Sequence, residues 1–201
     1  MKKLSGGLIA LIVVGAIVIF TVLWGVRTNN KMVTAEEGVS GAWAQVENVY
    51  QRRMDLIPNL VNTVKGAADF ERGTLEAVID ARSKATSVQV NADNLSEANI
   101  AAFQKAQDGL TNALSRLMVT VERYPELKAT QNFRDLQAQL EGTENRIAVE
   151  RNKFNEVVKA YNTMIRKFPN SIIAGIGGFE KKGYFQATEG ADKAPEVNFE
   201  F

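Results

Sequence analysis

The chain has 201 residues, 24 basic and 23 acidic side chains and a net charge of +1, and its 45% hydrophobic content is enough for one sizeable core. It contains no cysteine and no histidine, which excludes disulfides, thiolate nucleophiles, histidine triads and most zinc sites. The near balance of charge also argues against nucleic acid as a partner.

Residues 1–3 form a short basic start. From 4 to 26 no charged residue occurs, and a helix of roughly 20 apolar residues covers the ~30 Å hydrocarbon core of a bilayer. The spanning residues are Leu8, Ile9, Leu11, Ile12, Val13, Val14, Ile17, Val18, Ile19, Phe20, Val22, Leu23 and the interfacial Trp24. A cleaved signal peptide shares the basic start, but its apolar core is usually ~7–15 residues and an A-x-A site follows it. An uncleaved anchor is therefore expected, with membrane lipid as its partner. Lys2 and Lys3 precede the span while Arg27 and Lys31 follow it, a slight bias toward an inside N-terminus. Gly15 begins no GxxxG face, since Ile19 stands four positions on.

Residues 27–41 read as a juxtamembrane joint, with a helix start at Thr34 (a capping box with Glu37) or at Ser40. Beyond it Trp43, Val46, Val49, Tyr50, Met54, Ile57, Leu60, Val61 and Val64 recur at three and four. Pro58 lacks an amide and should kink this helix without stopping it. Gly73 marks a weak point of undecided role, followed by a second helical stretch to Ala85. Thr86 to Asp93 is the candidate exposed turn, and Asn94 with Glu97 resembles a cap for a helix carrying Ile100, Phe103, Leu110, Leu114, Leu117 and Val121. Pro125 to Ala129 is another turn.

Thr130 to Phe168 reads in sevens, with inward positions Phe133, Leu136, Leu140, Thr143, Ile147, Glu150, Phe154, Val157, Tyr161, Met164 and Phe168. At ~1.5 Å per residue such a helix runs roughly 58 Å. Short connections between long helices force antiparallel neighbours, so 42–169 is predicted to be an elongated antiparallel up-down helical bundle in an all-α protein with a single N-terminal transmembrane helix. Residues 170–185, rich in glycine and aromatics, should pack on the bundle side. Residues 186–201 should form a mobile tail, with Val197, Phe199 and Phe201 alternating as an edge strand would.

Motifs for chemistry fail on inspection. Gly38-Val39-Ser40-Gly41 lacks the last glycine of a nucleophile elbow, and Gly175-Ile176-Gly177-Gly178 lacks the end of a dinucleotide loop and follows a helix. No Walker lysine or EF-hand spacing occurs, so no catalytic, cofactor or metal residues are assigned. One polar group stands out: Arg53, Asp55 and Asn59 around Pro58, and Glu144, Arg146, Glu150, Arg151, Asn155 and Asn162 on the seam helix. An aromatic-Asn pair repeats at seven residues, Phe154-Asn155 and Tyr161-Asn162. Such a network either fixes helix register or binds a ligand. The first reading is preferred, because the set holds no base for neutral pH.

The order and spacing of several segments resemble the LemA family of bacterial membrane proteins. They are Trp43, Arg53-Met54-Asp55-Leu56-Ile57-Pro58-Asn59-Leu60-Val61, Val64-Lys65-Gly66, Glu71, Ala81-Arg82, Tyr124-Pro125-Glu126-Leu127-Lys128, Asn132-Phe133, Leu136, Glu144-Asn145-Arg146-Ile147-Ala148, Arg151, Asn155, Tyr161-Asn162 and Phe168-Pro169. The resemblance covers Trp43 to about Phe185, and it departs at Phe154, where the family often has Tyr. It implies an N-terminally anchored all-α bundle without an established enzymatic activity. The function expected is a non-enzymatic, membrane-tethered scaffold or adaptor on the bacterial inner membrane, its bundle outside the cytoplasm, engaging protein partners or copies of itself. The alternative is a small-ligand binder or enzyme using Arg53, Asp55, Arg151 and Asn155.

Overall fold

A computed structural model describes residues 6–66 and 70–187. Among these residues six α-helices follow one another: α1 (Gly6–Lys65), α2 (Arg72–Ser87), α3 (Glu97–Val121), the single turn α4 (Pro125–Lys128), α5 (Gln131–Arg166) and α6 (Asn170–Gly177), with a 3-10 turn at Ala92–Asn94. No strand occurs among the described residues. Residues 1–5 and the alternating Val197, Phe199 and Phe201 lie outside that range.

Helix α1 is 60 residues long and unbroken. The expected joint at 27–41 is helical throughout, and neither proposed cap operates. Thr34 Oγ1 donates to the Asn30 carbonyl at 2.9 Å and Ser40 Oγ to the Glu36 carbonyl at 3.3 Å. Each hydroxyl thus bonds back within the helix, the alternative open to Ser and Thr when they are not at a terminus. The first part of α1 is uncovered: none of its most apolar 18-residue window is buried. From Thr28 onward α1 buries one stripe that includes Met32, Val39, Trp43, Val46, Tyr50 and Met54.

Helix α1 packs chiefly on α5, and α2 on α3. Glu36 meets Tyr161, Trp43 meets Phe154 and Arg53 meets Glu144, so partner numbers on α5 fall as those on α1 rise. Two apolar clusters result. One gathers Ile57, Leu60, Val64, Val78, Leu110, Leu117, Phe133 and Leu140. The other gathers Trp43, Val46, Phe103, Phe154, Val158, Tyr161 and Phe185. Each fully buried large side chain here contributes about 1.5–3 kcal/mol through removal from water.

Several boundaries differ from those expected. Gly73 lies inside the first turn of α2. Ser96, not Asn94, caps α3, its hydroxyl accepting from the Asn99 amide. Part of the turn before it is buried, because Val90 supplies a carbonyl to Trp43 Nε1 at 3.3 Å. Thr130 caps α5 by accepting from the Phe133 amide. Along α5 the heptad frame holds from Phe133 to Phe154 except at Glu150, which is only partly buried and pairs with Lys153; beyond it Val158 and Ile165 are buried instead of Val157 and Met164, and Phe168 is exposed. A straight helix drifts ~20° per heptad, so over five heptads the buried stripe moves on by one residue.

Candidate functional site

The expected polar network resolves into two separate constructions, and four of its members join neither. Asp55 is exposed and accepts from Gln51, Asn59 and Arg146 are exposed, and Glu150 pairs with Lys153 at 2.8 Å. The four residues of the ligand reading do not converge. Arg53 belongs to one construction, Arg151 and Asn155 to the other, and Asp55 faces solvent.

The first construction is a polar layer between the two apolar clusters. Arg53 is 2% exposed. Its Nη1 donates to Glu144 Oε2 at 2.8 Å and Thr111 Oγ1 at 3.0 Å, its Nη2 to Gln107 Oε1 at 2.7 Å, and its guanidinium lies 5.1 Å from the centre of the Tyr50 ring. Its Nε finds no partner among the described residues. Glu144 is half exposed, so water shares in stabilising the pair. Burial pushes the Tyr50 phenol above its ordinary value, against the pull of the Arg151 and Arg53 charges. Sliding α1 on α5 by one turn would strand a buried guanidinium among apolar side chains, which is how such a layer fixes alignment. Gln107 and Thr111 were not singled out by sequence, because on α3 they sit beside an apolar stripe without interrupting it.

The second construction ties residues 182–186, an extended strap after α6, to the bundle. Asn162 exchanges two hydrogen bonds with the backbone of Lys182 (2.9 and 3.0 Å), Asn155 two with Phe185 (both 2.9 Å) and Gln104 two with Gln186 (both 3.0 Å). Each amide mimics a neighbouring strand, offering one donor and one acceptor. The spacing is metric. Seven residues of helix rise about 10.5 Å and three extended residues span about 10 Å, so Asn155 and Asn162 match positions 185 and 182.

The strap's side chains then lock inward. Phe185 stacks on Trp43 with ring centres 6.0 Å apart and meets Phe154 at 5.5 Å. Arg151 lies 4.9 Å above the Phe185 ring and donates to the Gln186 carbonyl at 2.8 Å. Lys182, buried, pairs with Glu36 at 2.6 Å, and Tyr161 donates to the same carboxylate at 3.4 Å. Burial, then the Glu36 charge, pushes the Tyr161 phenol well above its ordinary value. Gln186 is therefore held, although it was read as the start of a mobile tail; the rest of that tail from 188 on lies outside the described residues.

A third contact explains Arg82. Pro58 has no amide to give the Met54 carbonyl, and Arg82 Nε of α2 donates to that carbonyl at 3.1 Å. The side chain replaces the missing rung of α1 from outside.

The chain matches the LemA family model over residues 42–199. It is 28% identical over 180 residues to the magnetosome protein MamQ 2 of Paramagnetospirillum magneticum, covering 81% of this chain and 66% of that one. It is 29% identical over 182 residues to the magnetosome protein MamQ of Magnetospirillum gryphiswaldense, with the same coverage. It is 23% identical over 164 residues to Protein LemA of Metamycoplasma hominis, covering 82% of this chain and 71% of that one. The chain thus spans 66% of the length of the MamQ proteins it matches. The family match takes in Arg53, Arg82, Asn155, Asn162 and the strap as one block, and this chain belongs to the LemA family.

Proposed function

We propose that the protein is a membrane-tethered helical scaffold: an elongated antiparallel up-down bundle that presents its faces to protein partners or to copies of itself, without chemistry of its own. The observation that carries this reading is the continuity of α1. One 60-residue helix supplies both the uncovered apolar segment and a wall of the bundle core. A tether of this kind transmits position and orientation, which a flexible joint would not. The polar groups support the same reading, since Arg53 and Glu144 are engaged in alignment, Arg151, Asn155 and Asn162 in holding the strap, and Asp55 faces solvent. The family and the magnetosome proteins of similar sequence favour service at a membrane. We place the anchor in the bacterial inner membrane with the bundle outside the cytoplasm.

Two measurements test this. Asp93→Cys introduces a single thiol at an exposed position of a chain without cysteine. Labelling of intact cells by a membrane-impermeant maleimide is expected, whereas labelling only after lysis would reverse the orientation. Sedimentation of the detergent-solubilised protein separates the two modes of scaffolding: large particles mean self-assembly, and a small species means an adaptor for other proteins. Turnover of a small molecule, abolished by Arg53→Met with the fold intact, would overturn the scaffold reading.

A further inference from the structure

Helix α6 and the turn before it leave apolar side chains uncovered. Ile172, 53% exposed, and Ile176, 81% exposed, share one stripe of α6, Phe168 in the turn before it is 82% exposed, and Ala174 on the other side of the helix is buried. Their height along α1 can be read from two close approaches. A Cβ on Gly25 would lie 3.5 Å from Ile173 Cδ1, and one on Gly177 would lie 3.2 Å from Asn29 Oδ1. These contacts are four residues apart on both helices, so α6 runs beside α1 in the same direction, and its first turn reaches back toward Val22. That is the end of the uncovered apolar run. About 7–14 Å further along α1, beside the later turns of α6, lie Arg27 and Lys31; by the α1–α5 pairing Arg166 and Lys167 stand level with Lys31, all four are exposed, and no Asp or Glu occurs from 24 to 35 or from 163 to 179.

We propose that α6 with the Phe168 turn is a second contact with the bilayer that α1 crosses. Phe168, Ile172 and Ile176 enter the boundary between headgroups and acyl chains, and the four cations meet anionic headgroups. The proposal rests on reading residues 4–26 as an anchor. Lipid is the occupant because Ile172 and Ile176 stand at the height of the exposed Val22 and Val26 of that anchor. A second copy docked on this face would oppose two acid-free cationic belts. The bundle is thereby held at two points, which restrains its tilt.

The test uses the full chain with one cysteine, Phe20→Cys, Phe168→Cys, Ile176→Cys or Gln89→Cys, carrying an environment-sensitive fluorophore. The protein is reconstituted in vesicles of phosphatidylcholine and phosphatidylglycerol with and without a doxyl-labelled lipid. Labels at 168 and 176 are expected to lose about half of their emission or more to the doxyl lipid, as at Phe20, and the label at Gln89 almost none. Quenching at Phe20 but not at 168 and 176 overturns the second contact and leaves the anchor. Labels shielded from aqueous iodide yet untouched by the doxyl lipid are covered by protein, which also overturns it. Escape of Phe20 as well removes the anchor and this proposal together. In vesicles of phosphatidylcholine alone, quenching at Ile176 should fall by about two-fold or more, and an unchanged value overturns the role given to the cations.

Discussion

A proline inside a helix deletes one amide donor, and at Pro58 the carbonyl left over belongs to Met54, where Arg82 takes it up. Removing Arg82 should therefore cost about 1–3 kcal/mol, the penalty of an unpaired, partly buried carbonyl. In a Pro58→Ala background the new amide supplies that carbonyl itself, so Arg82→Met should then cost little. Thermal unfolding of the four proteins in detergent gives the coupling, and strictly additive effects would refute it. Arg53 is a different case. Both Arg53→Ala and Arg53→Met leave Gln107 unpaired, but the first also leaves a cavity, so the expected loss is about 2–4 kcal/mol for Arg53→Ala and about 1–3 kcal/mol for Arg53→Met. Tyr161 supplies the pH dependence. Its phenol is raised in the folded state, so its contribution is complete below the unfolded value of about 10 and is lost as pH climbs beyond it, where only the unfolded chain ionises. Melting temperatures followed from pH 9 to 11 should fall in the parent protein and fall less steeply in Tyr161→Phe, with Tyr50 accounting for part of the remainder.

At the level of elements, the strap depends on paired amides more than on its own conformation. Asn162→Ala strands the amide and carbonyl of Lys182, and should destabilise by about 1–3 kcal/mol while speeding hydrogen exchange at residues 182–186 far more than in α3. Uniform exchange throughout the chain would show that the strap is not a separate unit. Gly183 marks its tightest approach: a Cβ there would sit 2.7 Å from Glu97 Cα and 2.9 Å from the Glu97 amide nitrogen, both backbone atoms of α3. Gly183→Ala must lift the strap from that helix, and should raise the rate of proteolysis near 182–186 more than Gly178→Ala does, although Gly178 has a positive φ (73°). The recurrence of Asn after an aromatic at seven residues was visible in the chain, since periodicity on a helix needs no partner to be read. What Asn155 and Asn162 hold was not visible, because an extended strap has no period and its register comes from the helix that binds it. The exchange of Val157 for Val158 has a similar origin: a seven-residue frame assumes supercoiling, and the drift of a straighter helix accumulates over its length.

Across the whole molecule, the two apolar clusters and the layer of Arg53, Gln107, Thr111 and Glu144 between them form one continuous wall along α1 and α5. The helices themselves could be read from spacing and the uncovered apolar run of α1 from composition. The missing joint could not, because Asn29-Asn30, Gly38 and Gly41 look like breaks in a list of propensities, while burial of Met32, Val39 and Trp43 outweighs them in the fold. That unbroken helix gives the molecule a fixed height. From Val26 to Lys65 it rises roughly 60 Å, so with the apolar run crossing a bilayer as proposed, the far end near Tyr124 and Pro125 would stand at a set distance above it. On the scaffold reading proposed above, the protein would serve as a gauge as well as a tether: a partner recognised at that end would be met only at that elevation, and a membrane drawn toward it would be kept at least that far away.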